Sequence, residues 1–160
     1  MHIWELMTGT TKVVVSGTSC ATVGAIMRRR RCGFVAIVDS PTTKRVTGVV
    51  TARDILLQLV RLDRPASQVA VKLCMTKAPA TISSEADLKD AVRVMKEEAV
   101  SRLPVIDNGK LVGVLALQDI ALAARRQWAY VGPQVTEQHV TEIIEAIAVA
   151  REQHQGKPRR

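Results

Sequence analysis

Leu88, Ala91, Val92 and Met95 stand at i, i+3, i+4 and i+7 and form one apolar stripe, which predicts an amphipathic helix. The preceding Ser84-Glu85-Ala86-Asp87 resembles a capping box with Asp in place of Glu, and predicts the helix start. Val23, Ile26 and Met27 form a matching stripe earlier in the chain. Short apolar runs at 12–15 and 80–82 predict short strands. Longer ones at 34–38 with 46–50, and at 103–106 with 111–115, predict two hairpins. Asn108-Gly109 is a strong turn signal in the second. Helices are predicted at about 52–63 and 117–127. Each half of the chain therefore reads β-α-β-β-α.

The two halves are one pattern written twice. Met7-Thr8 falls on Met75-Thr76 at an offset of 68, which also places Val14 on Ile82, Val23 on Ala91 and Met27 on Met95. Val35-Ala-Ile-Val-Asp39 falls on Leu103-Pro-Val-Ile-Asp107 at the same offset. Gly48-Val-Val-Thr-Ala-Arg-Asp-Ile55 falls on Gly113-Val-Leu-Ala-Leu-Gln-Asp-Ile120 at 65. The difference sits in a turn, 40–46 against 108–112, where a length change is cheap. Repeat 1 is expected over 1–65 and repeat 2 over 66–128. One such unit exposes too much apolar surface to stand alone. The expected fold is α/β of the α+β kind, two repeats packed pseudo-symmetrically as one module. A third segment, 129–160, is expected to break at Gly132-Pro133 and then form a helix over about 136–153, with Val140, Ile143, Ile144 and Ile147 on its apolar face. That helix either packs back onto the repeats or meets a second copy or a partner. The basic Gly-Lys-Pro-Arg-Arg tail is expected to fray.

Met-Thr before the first strand, Leu-Pro-Val-Ile-Asp with Asn-Gly, and Gly-Val-Val-Thr-Ala-Arg-Asp, in that order and twice, resemble the CBS domain family over about residues 5–125. The resemblance implies a Bateman module that binds AMP, ADP, ATP or S-adenosylmethionine in the cleft between its repeats. It also implies assembly as a homodimer and a regulatory, ligand-sensing role toward a regulated protein the sequence does not name.

The nucleotide motif that the resemblance implies is Thr51-Ala52-Arg53-Asp54, at a strand-to-helix junction. An ionised Asp54 can accept from both ribose hydroxyls. The Thr51 hydroxyl can donate to a phosphate, the free N–H groups of the helix start face the same anion, and Arg53 adds charge. The competing reading is that Thr51 and Asp54 merely cap the helix. Repeat 2 departs from the motif. Asp119 and Gln118 remain, but Ala116 has no hydroxyl to donate. Ser101, Arg102 and Pro104 stand where repeat 1 has Gly33, Phe34 and Ala36, and Arg102 is a second candidate phosphate contact, or a solvated surface arginine. The two sites are therefore expected to be unequal. Val14 and Ile82 are candidate walls for adenine, and equally plain core residues.

Composition narrows the remaining classes. Hydrophobic residues make up 47% and aromatic ones 2%, so the core is aliphatic and platforms that stack bases on rings are disfavoured. The net charge of +8 fits an anionic partner or a basic solvated surface, and nucleic acid is a weaker alternative. Arg28–Arg31 ends the first helix, where the dipole favours cations. Met27 and Met95 are expected in the core. Cys20, Cys32 and Cys74 are odd in number and form no CxxC, which fits a reducing compartment without a disulfide framework. His2, His139 and His154 have no metal-ligand spacing. The start has no signal-peptide pattern and no apolar run is long enough for a span, so a cytoplasmic location is expected. No catalytic motif is present, so the expectation is a non-enzyme with no catalytic cofactor. The alternative is a protein- or RNA-interaction module with a vestigial cleft.

Overall fold

The computed structural model describes residues 1–9, 13–127 and 137–155. The strands are β1 (Thr8–Gly9), β2 (Val14–Val15), β3 (Phe34–Val38), β4 (Val46–Thr51), β5 (Thr76–Lys77), β6 (Ile82–Ser83), β7 (Arg102–Asp107) and β8 (Lys110–Ala116). The helices are α1 (Cys20–Arg30), α2 (Ala52–Leu62), α3 (Leu88–Glu97), α4 (Leu117–Gln127) and α5 (Glu137–Gln155). Short 3-10 turns add Ile3–Glu5, Ala66–Gln68 and Val71–Leu73. The expected β-α-β-β-α order is present twice. Gly132-Pro133, Trp128, Tyr130, the basic tail and residue 12 of the expected first strand lie outside the described residues.

Two four-stranded mixed sheets result, in the orders β2-β3-β4-β5 and β1-β8-β7-β6. The internal repeat is exact enough to be read in the pairing. Val14 pairs with Ile37 and Val15 with Val38, in parallel; Ile82 pairs with Val105 and Ser83 with Ile106, also in parallel. The outer strands break the simple division into halves. β5 pairs with β4 through Thr76 and Val49, whereas β1 pairs with β8 through Thr8 and Val114. Each Met-Thr segment thus completes the sheet of the other repeat.

The chain accordingly divides into two compact units, one of residues 10–79 with 108–111, the other of 1–9, 80–107 and 112–160. In the first, Val14, Cys20, Val23, Met27, Ile37, Val50, Ile55, Val69 and Val71 share a core. In the second, Ile3, Ile82, Leu88, Ala91, Met95, Leu103, Leu115 and Ile120 do so. Ile3 is fully buried, and full burial of such a side chain stabilises by roughly 1.5–3 kcal/mol. Its segment is tied down by Ile3 N–H to Ala86 O and Trp4 N–H to Ser84 O, each 3.0 Å. Val71 takes the same place in the first unit, with its N–H on Thr18 O at 2.8 Å.

The two predicted stripes are buried as expected: Val23, Ile26 and Met27 on α1, and Leu88, Ala91, Val92 and Met95 on α3. The capping box expected at Ser84 is not there. α3 begins later, with Asp87 at its N-cap and no side-chain cap bond. Ser84 is instead buried, and its N–H donates to Ile106 O at 2.9 Å, continuing the strand pairing. In α1 Ser19 does cap, accepting from Thr22 N–H at 3.2 Å.

The two hairpin turns differ as their lengths imply. Asn108 and Gly109 both have positive φ, 46° and 75°, the primed turn that matches strand twist. The longer turn is organised by Asp39, whose Oδ1 accepts from Ser40 N–H, Thr43 Oγ1 and Arg45 N–H. The Thr43 bond is the main cause that holds this carboxyl below the usual range. α5 packs within the second unit, where Ile143 is fully buried and Val140 and Ile147 lie against the core. Lys96 of α3 pairs with Glu142 at 2.9 Å. Of the two readings of this helix, packing back holds for that face, while Ile144 stays 52% exposed.

Candidate functional site

Thr51 ends β4 and is the N-cap of α2. Its N–H and its hydroxyl both donate to Asp54 Oδ2, at 2.9 and 2.7 Å. The Asp54 N–H returns a bond to the Thr51 hydroxyl at 3.1 Å. This reciprocal box explains why Thr and Asp occur at this spacing: each satisfies donors that a helix start leaves unpaired. It also fixes the carboxylate rotamer. The bonds from Thr51 both fall on Oδ2 of Asp54.

The helix start is less open than expected. The Ala52 N–H already donates to Gly33 O at 3.0 Å, and the Asp54 N–H is used by Thr51. Two of the first three amides are thus engaged, because the strand-to-helix turn folds back on the residue before β3. The Thr51 hydroxyl proton is committed to Asp54, so donation to an anion requires that bond to be exchanged. Arg53 is exposed at the same turn.

Unit two repeats the geometry without the hydroxyl. The Ala116 N–H donates to Asp119 Oδ2 at 2.8 Å. The Leu117 N–H donates to Ser101 O at 2.9 Å, as Ala52 does to Gly33. That bond brings Ser101 and Arg102, at the start of β7, beside the Asp119 junction. Both are half-buried, Pro104 is buried two residues further into the strand, and Gln118 is exposed in the place of Arg53. The candidate residues therefore form two sets: Val14, Thr51, Arg53 and Asp54 in one unit, and Ile82, Ser101, Arg102, Pro104, Gln118 and Asp119 in the other. Val14 and Ile82 are members of the respective cores, 2% and 6% exposed.

The sequence reading counted Cys74 among the three cysteines but gave it no place at the site. It lies close enough to Asp54 to feel its charge, and its sulfur is 3.4 Å from that of Cys20. Burial, then the Cys20 sulfur and the Asp54 carboxylate, push the Cys74 thiol up to about 12. No local motif signals this pair, which is separated by 54 positions. Among the described residues no cluster of three or more His, Cys, Asp or Glu is placed to hold a metal ion, and no helix is long and apolar enough to cross a membrane.

Comparison with known proteins fits this geometry. The family model for the CBS domain matches residues 3–61 and again 67–126. An uncharacterized protein of Methanopyrus kandleri, MK0525, is 30% identical over 111 residues, which are 67% of this chain and 56% of that protein. The chain thus spans little more than half the length of that relative. Among solved structures, CBSX2 in complex with AMP is 27% identical with a TM-score of 0.65, over 78% of this chain and 96% of that one. The CBS domain pair of MJ0100, in complex with 5'-methylthioadenosine and S-adenosyl-L-methionine, has a TM-score of 0.69 at 18% identity, over 79% and 98%.

Proposed function

The chain belongs to the CBS domain family, and from that premise we propose that it is a regulatory module that senses AMP, ADP, ATP or S-adenosylmethionine and catalyses no reaction. The observation that carries this reading is the Thr51–Asp54 junction, where an exposed Arg53 stands beside a carboxylate held in place by two bonds from Thr51. Asp54 accepts the two ribose hydroxyls, a pairing that a charged acceptor makes strong. Arg53 carries most of the phosphate interaction, since the first amides of α2 are largely engaged. The AMP complex of CBSX2 supports a nucleotide as the ligand class.

In the other unit Asp119 keeps the ribose role and Arg102, with Ser101, takes the phosphate role. Lacking a hydroxyl at Ala116, this site is the weaker or the differently selective one. The repeats act together as one module, 1–65 with 66–128, and 129–160 as its extension. Leu56, Leu57 and Val60 on α2 are 61%, 52% and 73% exposed, which supports a homodimer. A cytoplasmic location and an unidentified regulated protein complete the reading.

Calorimetric titration with AMP and S-adenosylmethionine tests it. The reading expects one tight site that Asp54→Ala removes, and a weaker one that Asp119→Ala removes. Two identical sites count against the assigned asymmetry. A second reading, an interaction module that binds protein or RNA and no nucleotide, is favoured by the completeness of the Thr51–Asp54 box, which satisfies both side chains without a ligand. Under it Asp54→Ala changes only stability.

A further inference from the structure

We propose that Cys20 and Cys74 form a reversible disulfide, a redox input that fastens the segment 69–75 to the start of α1. Cys20 is the first residue of α1 and is 1% exposed, while Cys74 is half-buried at the end of the 3-10 turn Val71–Leu73. Their sulfurs are in contact at 3.4 Å, and a bond of ~2.05 Å needs them to approach by about 1.4 Å. Backbone bonds already hold the two segments together: Cys20 N–H to Val69 O at 2.8 Å, and Val71 N–H to Thr18 O at 2.8 Å.

Packing does not explain why two thiols occupy these positions. The internal repeat places Leu88 where Cys20 stands and Leu6 where Cys74 stands. Both leucines belong to the core of their own unit, so an apolar pair serves the same architectural place. Only the unit that carries Thr51 and Asp54 has sulfur there. Cys32, half-buried in the same unit, has no sulfur partner among the described residues.

The oxidant is a low-molecular-weight disulfide such as oxidised glutathione. The Cys74 sulfur, the more accessible of the two, loses its proton and attacks one sulfur of that disulfide. One glutathione thiolate leaves and a mixed disulfide remains on Cys74. The Cys20 sulfur then loses its proton and attacks Cys74 Sγ, expelling the second glutathione. The protein gives up two protons and two electrons; the two glutathione thiolates take both. Glutathione in excess reverses the sequence. The high pKa of Cys74 leaves little thiolate and makes the first step slow.

The test exposes the full-length chain to oxidised glutathione at about pH 8.5, blocks remaining thiols with an alkylating agent, and maps the peptides. The proposal expects a product lighter by two hydrogens, a Cys20–Cys74 cross-link, Cys32 alkylated, and reversal by dithiothreitol. A cross-link over this loop is expected to raise the unfolding midpoint by roughly 5–15 °C. Cys20→Ala should leave a stable glutathione adduct on Cys74 instead. Cys74→Ala, at the less buried position, provides the same check if the first variant fails to fold: no cross-link forms and no midpoint shift follows. Recovery of all three thiols after oxidation overturns the proposal. So does a wild-type adduct that Cys20 never displaces, or a bond made through Cys32.

Discussion

Asp54 is bonded twice by Thr51, through the amide at 2.9 Å and the hydroxyl at 2.7 Å, whereas its counterpart Asp119 is bonded from Ala116 by the amide only, at 2.8 Å, since Ala116 has no hydroxyl. Ala116→Thr should therefore complete the second box and stabilise the protein by roughly 0.5–1 kcal/mol. Thr51→Ala should cost about 0.5–2 kcal/mol. Urea unfolding checks both, and equal midpoints for all three proteins would show that neither cap contributes.

The outer strands depend on two glycines. A Cβ on Gly113 would stand 2.6 Å from Met7 Sδ and 2.8 Å from Thr8 O; one on Gly48 would stand 2.6 Å from Met75 Sδ and 3.0 Å from Thr76 O. The sulfurs can move aside, but the carbonyl oxygens belong to the paired strands. Gly113→Ala and Gly48→Ala should each destabilise by about 1–3 kcal/mol, with Gly113→Ala the worse. Equal or absent losses in thermal unfolding would mean that β1 and β5 shift without penalty.

The first residues of the chain are structural in the unit they complete. Ile3→Ala should cost about 2–5 kcal/mol, because it empties a fully enclosed position. Trp4→Ala, at a side chain 53% exposed, should cost much less. Chemical denaturation of the two variants side by side separates burial from mere proximity to the terminus.

Cys74 gives the stability a pH dependence of known sign. Burial is the main cause that lifts its thiol from 9.0 to about 12. Between those values the folded chain keeps a proton that the unfolded chain has lost. Stability therefore falls as pH rises through that window, and is unaffected by this group below it. The urea midpoint of wild type should drop more steeply above about pH 9 than that of Cys74→Ala. Parallel profiles would remove Cys74 as the cause.

Much of this was legible in the chain. The stripes on α1 and α3 are spaced by the helical period, and Asn108-Gly109 has the φ values its residue types favour, so local physics sufficed. The register of β2 on β3 and of β6 on β7 follows the offset of 68 residue for residue. The exchange of the Met-Thr segments was not legible, since each repeat carries the same residues and either pairing satisfies the pattern. The capping box at Ser84 misled because the strand pairing of Ser84 N–H outcompetes a cap. The Cys20–Cys74 contact is set by tertiary packing across 54 positions and leaves no local trace. At the site, the sequence supplied the Thr51–Asp54 spacing, but not that Gly33 O occupies the first amide of α2.

The most direct measurement is thermal unfolding of wild type and Asp54→Ala with AMP, ADP, ATP, S-adenosylmethionine and NAD. A ligand at about 100 times its dissociation constant adds roughly 2.7 kcal/mol, or about 5–10 °C for a chain of this size. Each protein is read against its own ligand-free midpoint, so the lost cap of Asp54→Ala does not interfere. A nucleotide-sensing module predicts a shift with at least one adenine ligand in wild type that shrinks or vanishes in Asp54→Ala. No shift with any ligand, or the same shift in both proteins, would contradict it.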